Sequence, residues 1–299
     1  MAIIPGYRLG PKHDMLPSVS HSDLPTDGIC GMLSTLSPTT EFVACSGIVS
    51  PEIASPETLR KRTPMNVASI MAHQDDEMHC LGTLLKCHAR GDRIAFITVT
   101  DGAKGFVQRP EIQPAEAARI RHQEMSELAH HLEAEYLNLR EPDEFLYDTP
   151  EVRTRLIEAI RRTKAELIFT HYGEDYNLDH ITVSSLVRHC AMQARLPVIA
   201  TESAPLVEHP AIFMVSPHGP FVFPASHFVD VTAFEDEKIE LLGLHRSQEE
   251  AMQQAVGAGF SRLCRRLDGY WGQAVGCDYA EAFVPMRARG AIKPYNVLP

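Results

Sequence analysis

Val67-Ala68-Ser69-Ile70-Met71-Ala72-His73-Gln74-Asp75-Asp76-Glu77 is the stretch that decides how this chain reads. A short aliphatic run ends in one histidine and three consecutive acids. A run of that length suits a strand buried on both faces of a sheet, and its last residues emerge on a turn where side chains converge. His73 and Asp76 are then well placed to grip one cation. Asp75 stands beside that cation without a structural task, which is what a general base needs. A second strand-like run, Ala165-Glu166-Leu167-Ile168-Phe169-Thr170, precedes Asn177-Leu178-Asp179-His180, and His180 is the candidate third ligand. Two histidines and a carboxylate, with a position open to water, describe a catalytic zinc site rather than a closed structural one. The bland alternative makes the three acids an N-cap and first turn favoured by the helix dipole, with His73 in the core. Asp179-His180 on its own reads equally well as another cap.

Outward from this stretch, strand and helix alternate. Residues 67–71, 94–100, 136–139 and 167–170 read as strands. Residues 77–90 read as a helix ended by Gly91, and 115–132 as an amphipathic helix with Ile120, Met125, Leu128, Ala129 and Leu132 as its apolar stripe. Residues 151–163 form a helix opened by Thr149 as N-cap with Pro150 at the first helical position, and 181–194 another. Repeated units of this kind predict an α/β fold: Rossmann-like, with a mostly parallel sheet and helices on both faces. In such sheets ligands bind beyond the carboxyl ends of the strands. Both acidic/histidine motifs fall there, as does Thr100-Asp101-Gly102. After Pro197 the texture changes. Residues 198–201, 212–215 and 228–231 read as short strands, 235–244 and 249–267 as helices, and 282–284 as a last strand.

Residues 1–62 are rich in Pro, Ser and Thr and hold no helical period, yet Phe42-Val43-Ala44 and Ile48-Val49 are too apolar for pure disorder. They predict an irregular N-terminal arm packed on the main domain, 63–299, or on a neighbouring subunit, which leaves a homo-oligomer open. The formal net charge of −11 over 299 residues disfavours nucleic acid and anionic membranes as partners. No apolar run approaches the roughly 18 residues of a membrane span, and the first residues lack the layout of a secretory signal. The seven cysteines form no Cys-x-x-Cys pair, as expected of reduced thiols in a cytoplasmic protein.

The motifs together resemble the PIG-L/LmbE family of zinc-dependent N-deacetylases, whose first motif is His-Pro-Asp-Asp-Glu at a strand end and whose second is an Asp-His pair. The likeness extends through Thr100-Asp101-Gly102, Arg121-His122-Gln123-Glu124, Val229-Asp230-Val231-Thr232, His245-Arg246-Ser247-Gln248 and Tyr279-Ala280-Glu281-Ala282-Phe283, spanning residues 66–286. It implies one zinc per chain, held by His73, Asp76 and His180, with Asp75 as general base. Two positions depart from the family. Gln74 replaces the usual Pro, which loosens the turn and removes no ligand. Asn177 stands where many members carry a His three residues before the ligand His. An amide can stabilise an oxyanion but supplies no proton near neutral pH, so either Asp75 moves the proton alone or a histidine such as His171 or His218 assists.

The reading that follows is a hydrolase removing an N-acyl group, acetyl above all, from an amino sugar or a sugar-containing small molecule. Asp75 is the base, Asn177 an oxyanion donor, and Asp179 a hydrogen-bonding support behind the metal. Asp101, Arg121 and His218 are candidate substrate contacts, although Asp101-Gly102 also reads as a simple turn, and Arg121 with Glu124 as a surface ion pair. Arg262, Arg265 and Arg266 share one helix face, read either as solvated surface or as a pocket for a substrate phosphate or carboxylate. Trp271 reads as core or as a platform for a sugar ring. The rivals are a metallohydrolase of another bond type, such as a phosphoesterase, and a non-catalytic metal- or sugar-binding protein.

Overall fold

Alternation along the first strand, β1 (Asn66–Met71), explains why the sheet is covered on both sides. Val67 and Met71 enter one hydrophobic cluster, Ala68 and Ile70 the other. A strand buried on both faces belongs inside a sheet, and β1 lies between β2 (Arg93–Thr100) and β4 (Leu167–Thr170), parallel to both. The computed structural model describes residues 63–219 and 221–288, so the expectations for the arm over 1–62 lie outside the described residues. With β3 (Glu135–Glu141), β5 (Ala211–Val215), β6 (His227–Asp230) and β7 (Ala280–Pro285), the sheet has the order β3-β2-β1-β4-β5-β7-β6. The first five of these are parallel, and β7 runs antiparallel to both β5 and β6. The mostly parallel Rossmann-like sheet expected from the sequence is therefore present, with an antiparallel pair added at one edge.

The helices are α1 (Leu81–Ala89), α2 (Pro114–His131), α3 (Pro150–Arg162), α4 (Leu178–Gln193), α5 (Glu235–Leu242), α6 (Arg246–Val256) and α7 (Phe260–Val275). Leu81, Leu128, Leu241 and Phe260 bring α1, α2, α5 and α7 onto one face of the sheet, while Leu156, Ile160, Val183 and Val187 bring α3 and α4 onto the other. Thr149 caps α3 as its sequence suggests, accepting from the Val152 amide at 3.3 Å, with Pro150 next. Among the described residues, no helix is long and apolar enough to cross a membrane.

Three expectations are corrected. The helix read over 77–90 is a 3-10 turn, Asp76–His79, followed by a break at Cys80 before α1. Neither element has a side-chain cap from the acidic motif. Instead Glu281 of β7 accepts from the Gly82 and Thr83 amides at 2.9 and 2.7 Å, so the start of α1 is capped from across the sheet. Residues 198–201 form no strand, because the Arg161 guanidinium binds the carbonyls of Ala194, Leu196 and Ile199 and holds the segment as turns. The helix read over 249–267 is two helices, parted where Gly257 takes φ 73°, a conformation that favours glycine.

Chain order sets the position of the site. From β1 the chain builds outward through β2 and β3, then returns to the other side of β1 for β4 and β5. The loops leaving β1 and β4 diverge, and the crevice between them is where open α/β sheets bind ligands.

The fully buried Lys238 on α5 holds this end of the sheet to its covering helices. Its Nζ donates to Asp268 of α7 at 2.5 Å and to Glu281 at 2.7 Å. Lys238→Met keeps most of the volume but leaves buried carboxylates without their cation. We expect it to lower unfolding free energy by roughly 3–5 kcal/mol, read from the urea midpoint near neutral pH. An unchanged midpoint would remove Lys238 as the anchor.

Candidate functional site

The turn after β1 is held in a conformation its residues do not favour. Asp75 has φ 135°, a region that non-glycine residues occupy only when neighbours compel it, at about 1–3 kcal/mol. The compulsion comes from Glu77. Its Oε2 accepts the Asp75 amide at 3.1 Å, and its Oε1 lies 2.6 Å from His245 Nε2. Both Glu77 and His245 are buried, so each would lack a partner without the other. On the far side, the His73 amide donates to Asp76 Oδ2 at 2.7 Å, folding that carboxylate back over the turn. Gly102, at φ 68° after β2, lets the loop pass close by, where a Cβ would run into the Gln74 side chain.

His73 and Asp76, leaving β1, meet His180 from the first turn of α4. His73 Nδ1 lies 3.2 Å from His180 Nε2 and 3.2 Å from Asp76 Oδ2, and His180 Nε2 lies 3.3 Å from Asp76 Oδ1. Ligand atoms held about 2.0–2.1 Å from a tetrahedral ion stand about 3.3–3.4 Å apart. The two nitrogens stand close to that spacing, and Asp76 presents one oxygen to each, so the three residues form a group that could hold a small cation such as zinc. Two further groupings of possible ligands, His171 with Asp175 and His180, and His73 with Asp143 and Asp179, each share a histidine with this one. They resolve into a single centre with supports behind it. His73 Nε2 faces Asp143 at 3.1 Å and Asp179 at 3.4 Å, while His180 Nδ1 faces Asp175 at 3.1 Å. A carboxylate behind each imidazole fixes its orientation and strengthens it as a ligand.

The electrostatics agree. Burial opposes a charged His180, yet Asp76 and Asp175 push it up to about 9. Burial likewise opposes a charged His73, and Asp76, Asp143 and Asp179 hold it well above the ordinary imidazole range.

Asp75 stands next to this centre in a different balance. Burial, with help from Asp76, pushes its carboxyl up to about 6, against the pull of Arg121. Arg121 is buried, donating to Asp75 Oδ1 at 2.8 Å and to the Gln74 carbonyl. Asp75, Asp76 and His180 line a cavity of about 170 Å³ whose walls also include Tyr176, edge-on to the His180 ring, and His218. Asp75 is thus a carboxylate at the edge of a cavity, poised near neutrality and braced by a guanidinium.

The residues singled out in the sequence fall into two groups. His73, Asp75, Asp76, Asp179 and His180 meet at this centre, and His218 lines the same cavity. Asn177, Asp101 and Arg121 are otherwise employed. Asn177 Oδ1 accepts from the Asp179 amide at 2.7 Å as the N-cap of α4, and the residue is absent from the cavity lining, where its neighbour Tyr176 stands instead. Asp101 Oδ1 accepts from the Ala103 and Asp143 amides, which is the turn reading. Arg121 braces Asp75, and Glu124 is no partner to it, accepting instead from the Ser247 amide and hydroxyl at 2.9 and 2.6 Å. His171 Nε2 accepts from the Ala72 amide at 2.9 Å, and its ring stacks on His180 at 4.0 Å. Burial and the charge of His180 push it down to about 4, so it is a neutral wall rather than an acid. Asp143, Asp175, Tyr176 and the Glu77–His245 pair were not found from the sequence. Asp143 follows β3 as His73 follows β1, and that shared position at a strand's carboxyl end was the available signal.

Comparison with known proteins places this geometry. Residues 68–191 match the family described as PIG-L: GlcNAc-PI de-N-acetylase. Among solved structures, the fold is similar to N,N'-diacetylchitobiose deacetylase from Pyrococcus horikoshii at 23% identity and TM-score 0.65, covering 74% of this chain and 83% of that one. A conserved protein from Thermus thermophilus is 27% identical at TM-score 0.63, covering 76% of this chain and 97% of that one. The 4-carboxy-2-hydroxymuconate hydratase of Pseudomonas putida is 20% identical at TM-score 0.64, covering 77% of this chain and 100% of that one.

The brace on Asp75 is open to direct test. Glu77→Ala strands the Asp75 amide and the His245 ring together, and should cost roughly 1–3 kcal/mol of stability by chemical denaturation. Wild-type stability in that variant would show that the turn keeps its shape unaided.

Proposed function

We propose that this chain, whose residues 68–191 form a PIG-L (GlcNAc-PI de-N-acetylase) family domain, is a hydrolase that removes the N-acetyl group from an amino sugar or a sugar-containing amine. The observation that carries the reading is the meeting of one nitrogen each from His73 and His180, 3.2 Å apart, with the two carboxylate oxygens of Asp76 at 3.2 and 3.3 Å from them, and a second carboxylate, Asp75, beside the group. The metal is zinc, one per chain, with His73 Nδ1, Asp76 and His180 Nε2 as its ligands. When bound, it supplies a Lewis acid that polarises the amide carbonyl and makes water acidic enough to be deprotonated near neutral pH.

The chain's own residues do the rest. Asp75 takes a proton from the attacking water and returns it to the departing amine nitrogen. A carboxyl near 6 suits both halves of that exchange, being ionised at neutral pH yet basic enough to hold the proton briefly. Arg121 keeps Asp75 Oδ1 fixed, so Asp75 meets the water in one orientation. Tyr176, whose hydroxyl the neighbouring carboxylates help to keep protonated, and His218 are further polar side chains lining the cavity, and we assign them to the carbonyl oxygen as negative charge develops. Asn177 keeps its cap instead of that role. Asp143, Asp175 and Asp179 hold the two ligand histidines in the orientation that binding requires.

A two-metal phosphoesterase would need a second independent ligand set, and among the described residues the three groupings reduce to one centre. A hydratase shares this fold, so bond choice is best read from the product. Incubation with N-acetylated amino sugars should release acetate. Purified protein should carry close to one zinc per chain, lost in His73→Ala and His180→Ala. Asp75→Asn should keep the metal and lose most turnover. Metal retained in both histidine variants, or near-normal acetate release from Asp75→Asn, would sink the assignment.

Arg121 yields a pH prediction whose sign is set. Its positive charge lowers the pKa of Asp75, and the base works only when ionised. Arg121→Gln therefore leaves Asp75 protonated to higher pH, and the acid limb of kcat/KM should move up by about one unit. A limb that stayed in place or moved down would show that another group controls it.

A further inference from the structure

The cavity holding Asp75 and His180, at about 170 Å³, has room for an acetamido group and an adjoining fragment about the size of a benzene ring at most, and not for a whole substituted amino sugar. It shares a wall, made of Met78, Ser216, Pro217 and His218, with a second cavity of about 410 Å³. That second volume lies in the range of ligand sites, and its walls differ in kind. Phe221 and Phe223, from the loop after β5, face Tyr270 and Trp271 of α7, and Arg266 of α7 completes the lining. The three arginines of this helix, alike in the sequence, part company here. Arg265 pairs with Glu235 and Asp236. Arg266 has no ion-pair partner among the described residues. Trp271 is half-buried in an aromatic group with Phe223, Phe228 and Tyr270 at centroid distances of 4.8–6.2 Å. Its indole Nε1 is buried and meets no acceptor among the described residues. A buried donor without a partner is costly, and a ligand acceptor would relieve it.

We propose that this second cavity binds the amine portion of the substrate, and that the amine carries both a ring, stacked on Trp271, and an anionic group, phosphate or carboxylate, held by Arg266. The inference rests on the deacetylase reading in one respect: a small acyl group fits the first cavity, so the larger amine must occupy the second. Aromatic walls bind the apolar face of a sugar or aryl ring. Arg266 is exposed, as Arg262 is, but it alone of the two lines the cavity, so in a chain of net charge −11 it sets a positive charge at the edge of the aromatic walls, where it would select for an anion.

Trp271 is the chain's sole tryptophan, so its emission reports this cavity without any need for turnover. Glucosamine 1-phosphate, glucosamine 6-phosphate and muramic acid, titrated into the zinc-loaded protein, separate phosphate from carboxylate, with glucosamine and inorganic phosphate as the partial probes. We expect a saturable emission change with at least one anionic amino sugar, at concentrations tenfold or more below either partial probe. Arg266→Gln should weaken that binding by roughly tenfold or more, Arg266→Lys by less, and Arg262→Gln, exposed on the same helix outside the cavity, should not change it. In turnover, the ratio of kcat/KM for the anionic N-acetyl substrate over N-acetylglucosamine should fall in Arg266→Gln, mainly through KM. No emission change with any of the three, or a change that Arg266→Gln leaves intact, overturns the subsite. Failure of the deacetylase reading looks different: emission titrates as described, but no acetate appears from any N-acetyl partner.

Discussion

Too many carboxylates meet at one point of this molecule, and most of its architecture answers that fact. Asp75, Asp76, Asp143, Asp175 and Asp179 all lie at or directly behind the His73–His180 pair. Gathering like charges in a buried place is unfavourable unless positive charge joins them. Arg121 supplies one such charge to Asp75, and the raised imidazoles of His73 and His180 supply others in the absence of an ion. A divalent cation on those same imidazoles would balance the group more fully. His73, Asp76 and His180 thus form a group that could hold a cation, with Asp75 as a further carboxylate beside it.

Holding that further carboxylate in place takes structure from well outside the motif. The positive φ of Asp75 persists because Glu77 and His245 lock the amide from below, while Arg121 fixes the carboxylate from α2. Ser247 then ties Glu124 of α2 to the start of α6. The residues bracing the base therefore come from the β1 turn, α2 and the α5–α6 junction, and the motif positions that looked like helix ends or surface pairs turn out to be this brace. Strain at the reacting residue is kept by contacts that cannot relax one at a time.

How much of this was legible follows from range. The sheet core and the grouping of His73, Asp76 and His180 were readable because each rests on local pattern: an aliphatic strand, an acidic turn, a histidine on a later turn. The split at Gly257 and the absence of a strand over 198–201 were not, because the first depends on a left-handed glycine and the second on Arg161 taking three carbonyls from a distant helix. Asn177 was legible only as a pair of alternatives. Its offset from His180 suits either an oxyanion donor or an N-cap, and the Asp179 amide claims it. Asp143 and Asp175 carried no motif, and their function arises only when β3 and the loop after β4 are brought beside the same two rings.

Chemistry and specificity are separated along the chain. The segment matching the family ends at residue 191, and it contains His73, Asp76 and His180, the carboxylates behind them, and Asp75, although His245 of the Asp75 brace lies beyond it. The walls that a substrate would meet next come from beyond it: Ser216, Pro217 and His218 after β5, Gln248 and Met252 of α6, and the α7 face from Leu263 to Trp271. Those later segments pack against the catalytic half through the buried Lys238–Asp268–Glu281 group, with Glu281 also capping α1 beside the acidic turn. A change of substrate would then require new side chains on α6, α7 and the loop after β5, while the centre stays as it is. The freedom is partial, because His245 and Ser247 at the α5–α6 junction also hold the turn that carries Asp75, so only the wall residues outside that brace can vary without moving it.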